Sequence, residues 1–220
     1  MTGGRVRGLT GAAGLAAVML VIIGWVLVPP DPPGPAATAE AVVRWTLDDR
    51  RRLLLGTLCI AAGVALLIVF FAGLRALCAR AEGAPGILAT IAWGAMLVTL
   101  AVSFVGIAMA QTQSFLALDG DPSTVEAFHE ARLMLINQAG APAAVGLLAF
   151  GLAMWRSGYP ARWLGVLGAV AAGAQVLGVI SLSRDGFFSP SGGAALVGAA
   201  GMAAWVAGVS LVLLSRSDPE

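Results

Sequence analysis

The chain has 220 residues, of which 59% are hydrophobic and 11% are charged, and its formal net charge at pH 7 is +1. A soluble domain carries roughly a quarter charged residues, so this composition excludes a water-soluble globular protein. The near-neutral charge, without any stripe of basic residues, argues against a nucleic-acid partner.

Six apolar segments predict an all-α polytopic transmembrane bundle, because a helix of ~20 residues crosses a hydrocarbon core. The first is longer than the apolar region of a signal peptide, so we expect it to be retained although Ala37-Thr38-Ala39 resembles a cleavage site. The six apolar segments leave no room for a separate soluble domain. The predicted spans are residues 9–28, 53–74, 87–110, 133–155, 163–182 and 192–214.

The longest polar stretch, residues 29–52, starts with a proline-rich turn and continues with a helical pattern. Glu40, Arg44 and Asp48 share one face of that pattern. We expect a short amphipathic helix that lies on the membrane surface or caps the bundle; the alternative is that it extends the second span. Its predicted apolar face contains Ala39, Val42, Val43, Thr46 and Leu47.

The third span is expected to end at Gln111, Thr112 and Gln113. The fourth helix then begins with a clear signal, because Asp121 suits an N-cap and Pro122 the first helical position. From there to residue 155 it would measure about 51 Å at 1.5 Å per residue, against ~30 Å for a hydrocarbon core. Either its first turns stand outside the bilayer, or it breaks near Gly140-Ala141-Pro142. The polar residues lie in its early half, which favours the first outcome.

The loop charges favour an orientation with both termini in the cytoplasm, and we expect the plasma membrane. The side that carries the N-terminus has seven Arg and three acidic residues, and the other side has six Arg and nine acidic residues. This difference in Arg is small, and the run Arg50-Arg51-Arg52 argues against it. The short basic connections on the first side nevertheless favour that side as the inner one.

Small residues recur every four positions in the last two spans. This spacing lets helix backbones approach closely, so we expect contacts between helices of one molecule, or otherwise a seam between copies. The residues are Gly165, Ala169 and Gly173 in the fifth span and Ala200, Ala204 and Gly208 in the sixth.

The densest polar group lies in the fourth helix and could form an outer polar vestibule, with Gln111, Gln113 and Arg184 as neighbours. The alternative is a solvated helix end, in which Arg132 pairs with a nearby Glu or reaches lipid headgroups. Glu126-x-x-His129 has the spacing of a di-iron bundle motif, but a second such motif is needed and the chain has one His. We expect no metal. The candidate binding residues are Glu126, His129, Glu130, Arg132 and Asn137, with Gln175 from the fifth span.

No motif of nucleophilic, phosphate-binding or zinc chemistry occurs, so we expect neither enzymatic activity nor a cofactor. The basic residues are all Arg, and the absence of Lys excludes a Schiff base with retinal or pyridoxal phosphate. Cys59 and Cys78 should lie at different membrane depths, so a disulfide is not expected.

Three segments carry a family resemblance. They are the first helix with its proline-rich loop, Phe71-Ala72-Gly73-Leu74-Arg75, and the stretch from Gly158 to Gly168 that contains Pro160-Ala161-Arg162-Trp163-Leu164-Gly165. Together they resemble small multi-pass membrane proteins of actinobacteria that are grouped as domains of unknown function. The resemblance implies about six membrane helices and transfers no catalytic residue.

Two functional hypotheses follow for a protein whose first partner is the lipid bilayer. The leading one is a non-enzymatic interaction or accessory subunit, bound to another membrane protein or to a second copy. The alternative is a carrier or channel for a small or lipophilic molecule. A tightly packed interior would favour the former, and a cavity reaching Asn137 and Gln175 would favour the latter. An enzyme acting on lipid ranks third.

Overall fold

A computed structural model of the protein describes residues 3–30, 32–83 and 85–215. Within these residues the regular elements are eight helices: α1 (Gly3–Leu27), α2 (Ala39–Asp48), α3 (Arg50–Glu82), α4 (Ile87–Asp119), α5 (Pro122–Gln138), α6 (Gly140–Ser157), α7 (Arg162–Val179) and α8 (Gly193–Ser215). Six helical segments are long and apolar enough to cross a membrane, with α5 and α6 counted together as one. The predicted all-α bundle of six spans is therefore confirmed.

Helices α3 and α4 extend well past the predicted spans. Helix α4 continues beyond Gln111, Thr112 and Gln113, the predicted end of the third span, as far as Asp119. The continuation is stabilised by docking: Gln113 is buried and donates its Nε2 hydrogen to Thr46 Oγ1 at 2.7 Å. Polar residues therefore persist in this helix because α2 supplies their partner.

Helix α2 is a separate element that caps one end of the bundle. Thr38 is its N-cap and accepts a hydrogen bond from the Ala41 amide, while Asp49 has a non-helical φ of −131° that separates α2 from α3. Val42 packs in a small cluster with Ala117 and Val125. The predicted apolar face is correct at Val42 and Thr46, which are buried, but wrong at Leu47, which is exposed.

The long fourth helix of the prediction is divided at Ala139 into α5 and α6. Its start is as predicted, with Asp121 accepting a hydrogen bond from the Thr124 amide at 3.2 Å. Hydrogen bonds from Ser123 and Thr124 hold the pKa of the exposed Asp121 carboxyl below its ordinary value. The break follows from Pro142, which has no N–H to donate to the carbonyl four residues earlier.

The spans form a closed ring in the order α1, α3, α4, α6, α7, α8 and back to α1. We call the end that carries α2 and the start of α5 the α2 face, and the other end the opposite face. At the opposite face, a Cβ on Gly11 of α1 would lie 2.7 Å from the Leu214 side chain of α8. The start of α1 and the end of α8 therefore lie on the same side of the bundle.

Two glycine pairs bring helix backbones into direct contact. A Cβ on Gly151 would lie 2.8 Å from the carbonyl oxygen of Gly165, and Gly24 and Gly56 approach each other in the same way in α1 and α3. The predicted contact role is confirmed for Gly165. Gly173, Ala200 and Ala204 are exposed on the outer surface, so for them the alternative, a seam between copies, stays a prediction.

An aromatic cluster fills the half of the bundle nearer the opposite face. The buried rings of Phe71 and Phe150 stack at 6.0 Å between centroids, and Phe70 and Trp205 pack beside them. Trp205 also donates its indole N–H to the Leu164 carbonyl at 3.0 Å. This cluster brings α3, α6 and α8 together at the centre of the ring and closes that half.

Candidate functional site

Helix α5 turns one buried stripe toward the bundle, and this stripe carries part of the predicted site. Its fully buried members repeat every four residues, as one helix face does. They are Val125, His129, Leu133 and Asn137. Of the six predicted site residues, His129 and Asn137 therefore lie on the inner face.

His129 connects three parts of the α2 face. Its Nε2 atom lies 2.8 Å from the Pro33 carbonyl oxygen, and its Nδ1 atom lies 3.3 Å from a guanidinium nitrogen of Arg132. A carbonyl oxygen can only accept, so Nε2 carries the hydrogen and the neutral ring accepts from Arg132 at Nδ1. Trp45 of α2 meets the ring edge-on, with 5.9 Å between centroids.

Arg132 directs a cation toward the interior of the bundle. Its Nε atom is buried and has no hydrogen-bond partner in the part of the chain that the structure describes. No carboxylate of those residues lies within 4.0 Å of its guanidinium. A cation in a membrane interior costs roughly 2.5–3.5 kcal/mol on insertion scales, and this one has no compensating charge among the described residues.

The side chain of Arg132 lines a cavity of about 230 Å³ inside the α2-face half of the ring. Apart from Arg132 the lining is almost entirely apolar, with the hydroxyls of Thr57, Thr99 and Ser103 as exceptions. Along α3 it extends from Thr57 to Leu67, about 15 Å at 1.5 Å per residue. We call this space the Arg132 cavity. It ends where the aromatic cluster begins.

A second cavity of about 300 Å³ adjoins the first and contains the two predicted amides. Asn137 donates to the Pro190 carbonyl at 3.2 Å, and Gln175 donates to the Gly198 carbonyl at 2.9 Å. We call this space the amide cavity. The two cavities share Trp25, Thr99, Ser103, Ile136, Ala199 and Met202 in their linings.

The remaining predicted residues lie elsewhere. Glu126 is half-buried near the start of α5, and Glu130 is exposed and lines a separate pocket of about 510 Å³ that also contains Arg184. The predicted grouping of Glu130 with Arg184 is thus present. Gln113, by contrast, serves the docking of α2.

Sequence reasoning did not identify the apolar lining that makes a site of these polar groups. Arg132 immediately precedes the predicted fourth span, residues 133–155, which contains no charged residue. The structure instead places its side chain in the lining of a cavity that Thr99, Ser103 and Gly106 of α4 also line. A signal was present: an Arg near the end of a polar helix segment, facing a span that carries two hydroxyls.

Metal chemistry finds no support in this arrangement. Within residues 3–30, 32–83 and 85–215, no three His, Cys, Asp or Glu side chains come together as ligands. His129 itself uses both ring nitrogens in hydrogen bonds within the protein. What the site offers is an apolar space with a cation at one end.

No family model, curated protein or solved structure matches the chain. The six apolar helical segments indicate an integral membrane protein, and the cavities between them are the features that bear on its activity.

Proposed function

We propose that this protein binds a lipophilic molecule between its helices, as a carrier or binding protein of the membrane. The observation that carries the proposal is the pair of adjoining cavities, about 230 and 300 Å³, within the α2-face half of the ring. Sites for small ligands are mostly apolar, have a few polar groups and measure about 300–1,000 Å³. The two spaces together fall in this range.

We propose that the ligand enters laterally from the lipid between α1 and α8, since both helices line the Arg132 cavity. Near the opposite face, Gly11 and Gly14 of α1 lie against Ser210 and Leu214 of α8. Nearer the α2 face the two helices instead contribute facing walls of the Arg132 cavity. Those walls are formed by Ala17, Val18, Val21 and Trp25 of α1 and by Ala199, Met202, Ala203 and Val206 of α8.

The cavities favour binding over the accessory-subunit hypothesis. An accessory subunit needs only an outer surface, whereas a space between helices costs dispersion contacts that a packed core would make. The aromatic cluster at the opposite face argues against an open channel, because Phe71, Phe150 and Trp205 are fully buried across the ring. The cavities in one half of the bundle and the aromatic cluster in the other together favour a protein that binds a ligand and releases it to one side.

A filling substitution at the junction of the two cavities tests the proposal. Ala199 lines both spaces, and Ala200 beside it on α8 is exposed on the outer surface. We expect Ala199→Phe to block labelling of cavity residues by a photoreactive derivative of dodecanol in detergent-solubilised protein. Peptide mass spectrometry would locate the labelled residues.

Ala200→Phe is the matched control, since it adds the same side chain to the adjacent position without entering either cavity. It should leave the labelling of Met202 and Val206 at the wild-type level. Wild-type protein labelled only on its outer surface, or cavity labelling that survives Ala199→Phe, would contradict the binding function.

We further propose that the α2 face is extracytoplasmic in a plasma membrane, with both termini in the cytoplasm. The short connections of the opposite face carry Arg80, Arg156 and Arg162, as the positive-inside rule asks of cytoplasmic loops. In the contrary run at the start of α3, Arg50 donates to the Ser114 carbonyl and Arg52 pairs with Asp49. These local partners supply a structural reason for basic residues on an outer face.

A further inference from the structure

The Arg132 cavity combines an apolar wall with a cation at one end. Its α2-face end is formed by Arg132, Val28 and Ala110, and its other end by Val64, Leu67 and Val206. An occupant that satisfies both ends needs an anionic group and an apolar body. We infer that the ligand is a single-chain amphiphile with an anionic head group, held by Arg132, with its chain directed toward the aromatic cluster. This inference rests on the proposed binding function.

The hydrogen bonds around Arg132 point to an anion as its missing partner. One guanidinium nitrogen donates to His129 Nδ1, which is a neutral acceptor and does not compensate the positive charge. The Nε hydrogen has no acceptor in the described part of the chain. A carboxylate or phosphate oxygen would accept that hydrogen and supply the opposite charge in one contact, the pairing that a planar guanidinium favours.

The position of His129 fixes Arg132 for this role. Pro33 takes the Nε2 hydrogen of the imidazole, so Nδ1 faces Arg132 as an acceptor and holds the guanidinium against α5. The ring is held in turn by the edge-on contact with Trp45. The cation is therefore oriented before any ligand arrives, which lowers the entropic cost of binding.

The size of the cavity favours one chain over two. A cavity of about 150 Å³ holds one benzene molecule, so the 230 Å³ here suits a single alkyl chain rather than a whole diacyl lipid. The space runs about 15 Å along α3, close to half of a ~30 Å hydrocarbon core. A chain entering between α1 and α8 would thus remain within one leaflet.

Competition between matched chains tests the inference. Dodecyl phosphate, dodecanoate and dodecanol would compete with the photoreactive dodecanol for wild-type protein, with inorganic phosphate as a chain-free probe. We expect the two anions to compete at concentrations about tenfold or more below dodecanol, because a charge-assisted hydrogen bond is roughly twice as strong as a neutral one. Inorganic phosphate should not compete, and the better of the two anions identifies the head group.

Arg132→Gln should remove the preference for anions while dodecanol still binds. Arg184→Gln is the control, since Arg184 is an exposed Arg of the same face that lines a different pocket. Equal competition by all three chains, or an anion preference that survives Arg132→Gln, overturns the inference yet leaves the binding function standing. Equal potency of inorganic phosphate and dodecyl phosphate overturns it too. Absence of any cavity labelling in wild-type protein defeats the binding function itself.

A measurement on wild-type protein covers the case in which Arg132→Gln does not fold. Two photoreactive dodecanoates, one reactive beside the carboxylate and one at the chain end, should label different ends of the cavity. We expect the first to label Ile136 and its neighbours in α5, and the second to label residues around Leu67 and Val206. Reversed or identical patterns overturn the inference.

Discussion

At the scale of single residues, His129 connects the proline-rich loop at Pro33, helix α2 at Trp45 and the guanidinium of Arg132. A neutral imidazole has one donor and one acceptor, and here Pro33 uses the donor and Arg132 the acceptor. The side chain is 1% exposed, so neither hydrogen bond can be replaced by bulk water. Loss of this ring therefore affects the whole α2 face.

We expect His129→Ala to destabilise the protein by roughly 2 kcal/mol, since it leaves the Pro33 carbonyl and a guanidinium hydrogen without partners. The change should appear as a lower midpoint of thermal unfolding in detergent. His129→Gln is the control, because a Gln amide N–H can reach the position of Nε2 and its oxygen can accept from Arg132. A midpoint for His129→Ala equal to that of the wild type would contradict the role of His129.

The sequence predicts the polar residues of α5 but not which of them face inward. Glu126, Glu130 and Asn137 occupy one angular stripe of the helix, yet Glu130 is exposed and Asn137 is buried. The buried face turns along the helix, because residues four apart differ by about 40° in angle. Near the start of α5 this face holds Val125 and His129, and at Asn137 it has turned toward the loop at Pro190. Angular position follows from sequence, whereas the neighbours at each height depend on the tertiary fold.

At the scale of helices, the closest contacts depend on single glycines rather than on a repeated motif. The sequence pattern joins Gly165, Ala169 and Gly173 as one contact face of α7. In the structure Gly165 touches Gly151 of α6, while a Cβ on Gly173 would meet nothing within 4 Å. The pattern correctly predicts that α7 packs through small residues, but Gly173 faces outward because the buried face of α7 runs through Gly165, Gly168 and Ala172 rather than through every fourth residue.

This difference makes a matched pair of substitutions within α7. Gly165→Ala would place a Cβ 2.6 Å from the Gly151 carbonyl oxygen and about 3.1 Å from Trp155, so α6 and α7 must separate. We expect a loss of about 1–3 kcal/mol, as in overpacked cores. Gly173→Ala should be neutral or stabilising, because Ala has the higher helix propensity. Chemical unfolding in mixed micelles would compare the two.

The reverse ranking, with Gly173→Ala the more damaging variant, would contradict the ring order.

The existence of six spans was predictable, because apolar length alone determines it. The break at Ala139 was the less favoured of two predicted outcomes, because the polar residues of the early half favoured a protruding helix. Pro142 removes one hydrogen bond, and the choice depends on how α4 and α7 pack against the resulting turn.

At the scale of the whole molecule, the two halves of the bundle differ in packing. Aromatic rings fill the half nearer the opposite face, and the cavities occupy the half nearer the α2 face. A ligand could therefore enter or leave only from the α2 face or from the adjoining leaflet. Nothing in the hydrophobic pattern predicts this asymmetry, because every span is apolar throughout and the placement of large rings against small residues is three-dimensional. The family resemblance to actinobacterial membrane proteins stays a prediction.

The orientation of the bundle decides which compartment the proposed binding site serves. Labelling of single cysteines can determine this orientation. With Cys59 and Cys78 replaced by Ala, Ser123→Cys would report on the exposed start of α5 at the α2 face, and Ala81→Cys on the exposed end of α3 at the opposite face. A membrane-impermeant maleimide should label Ser123→Cys in intact cells, while Ala81→Cys should react only after lysis. This follows if the short connections with Arg80, Arg156 and Arg162 are cytoplasmic.

Labelling of Ala81→Cys alone in intact cells would reverse the orientation and assign the cavity to the cytoplasmic leaflet. Labelling of both in intact cells would contradict the six-span topology, since the two positions lie at opposite ends of the bundle.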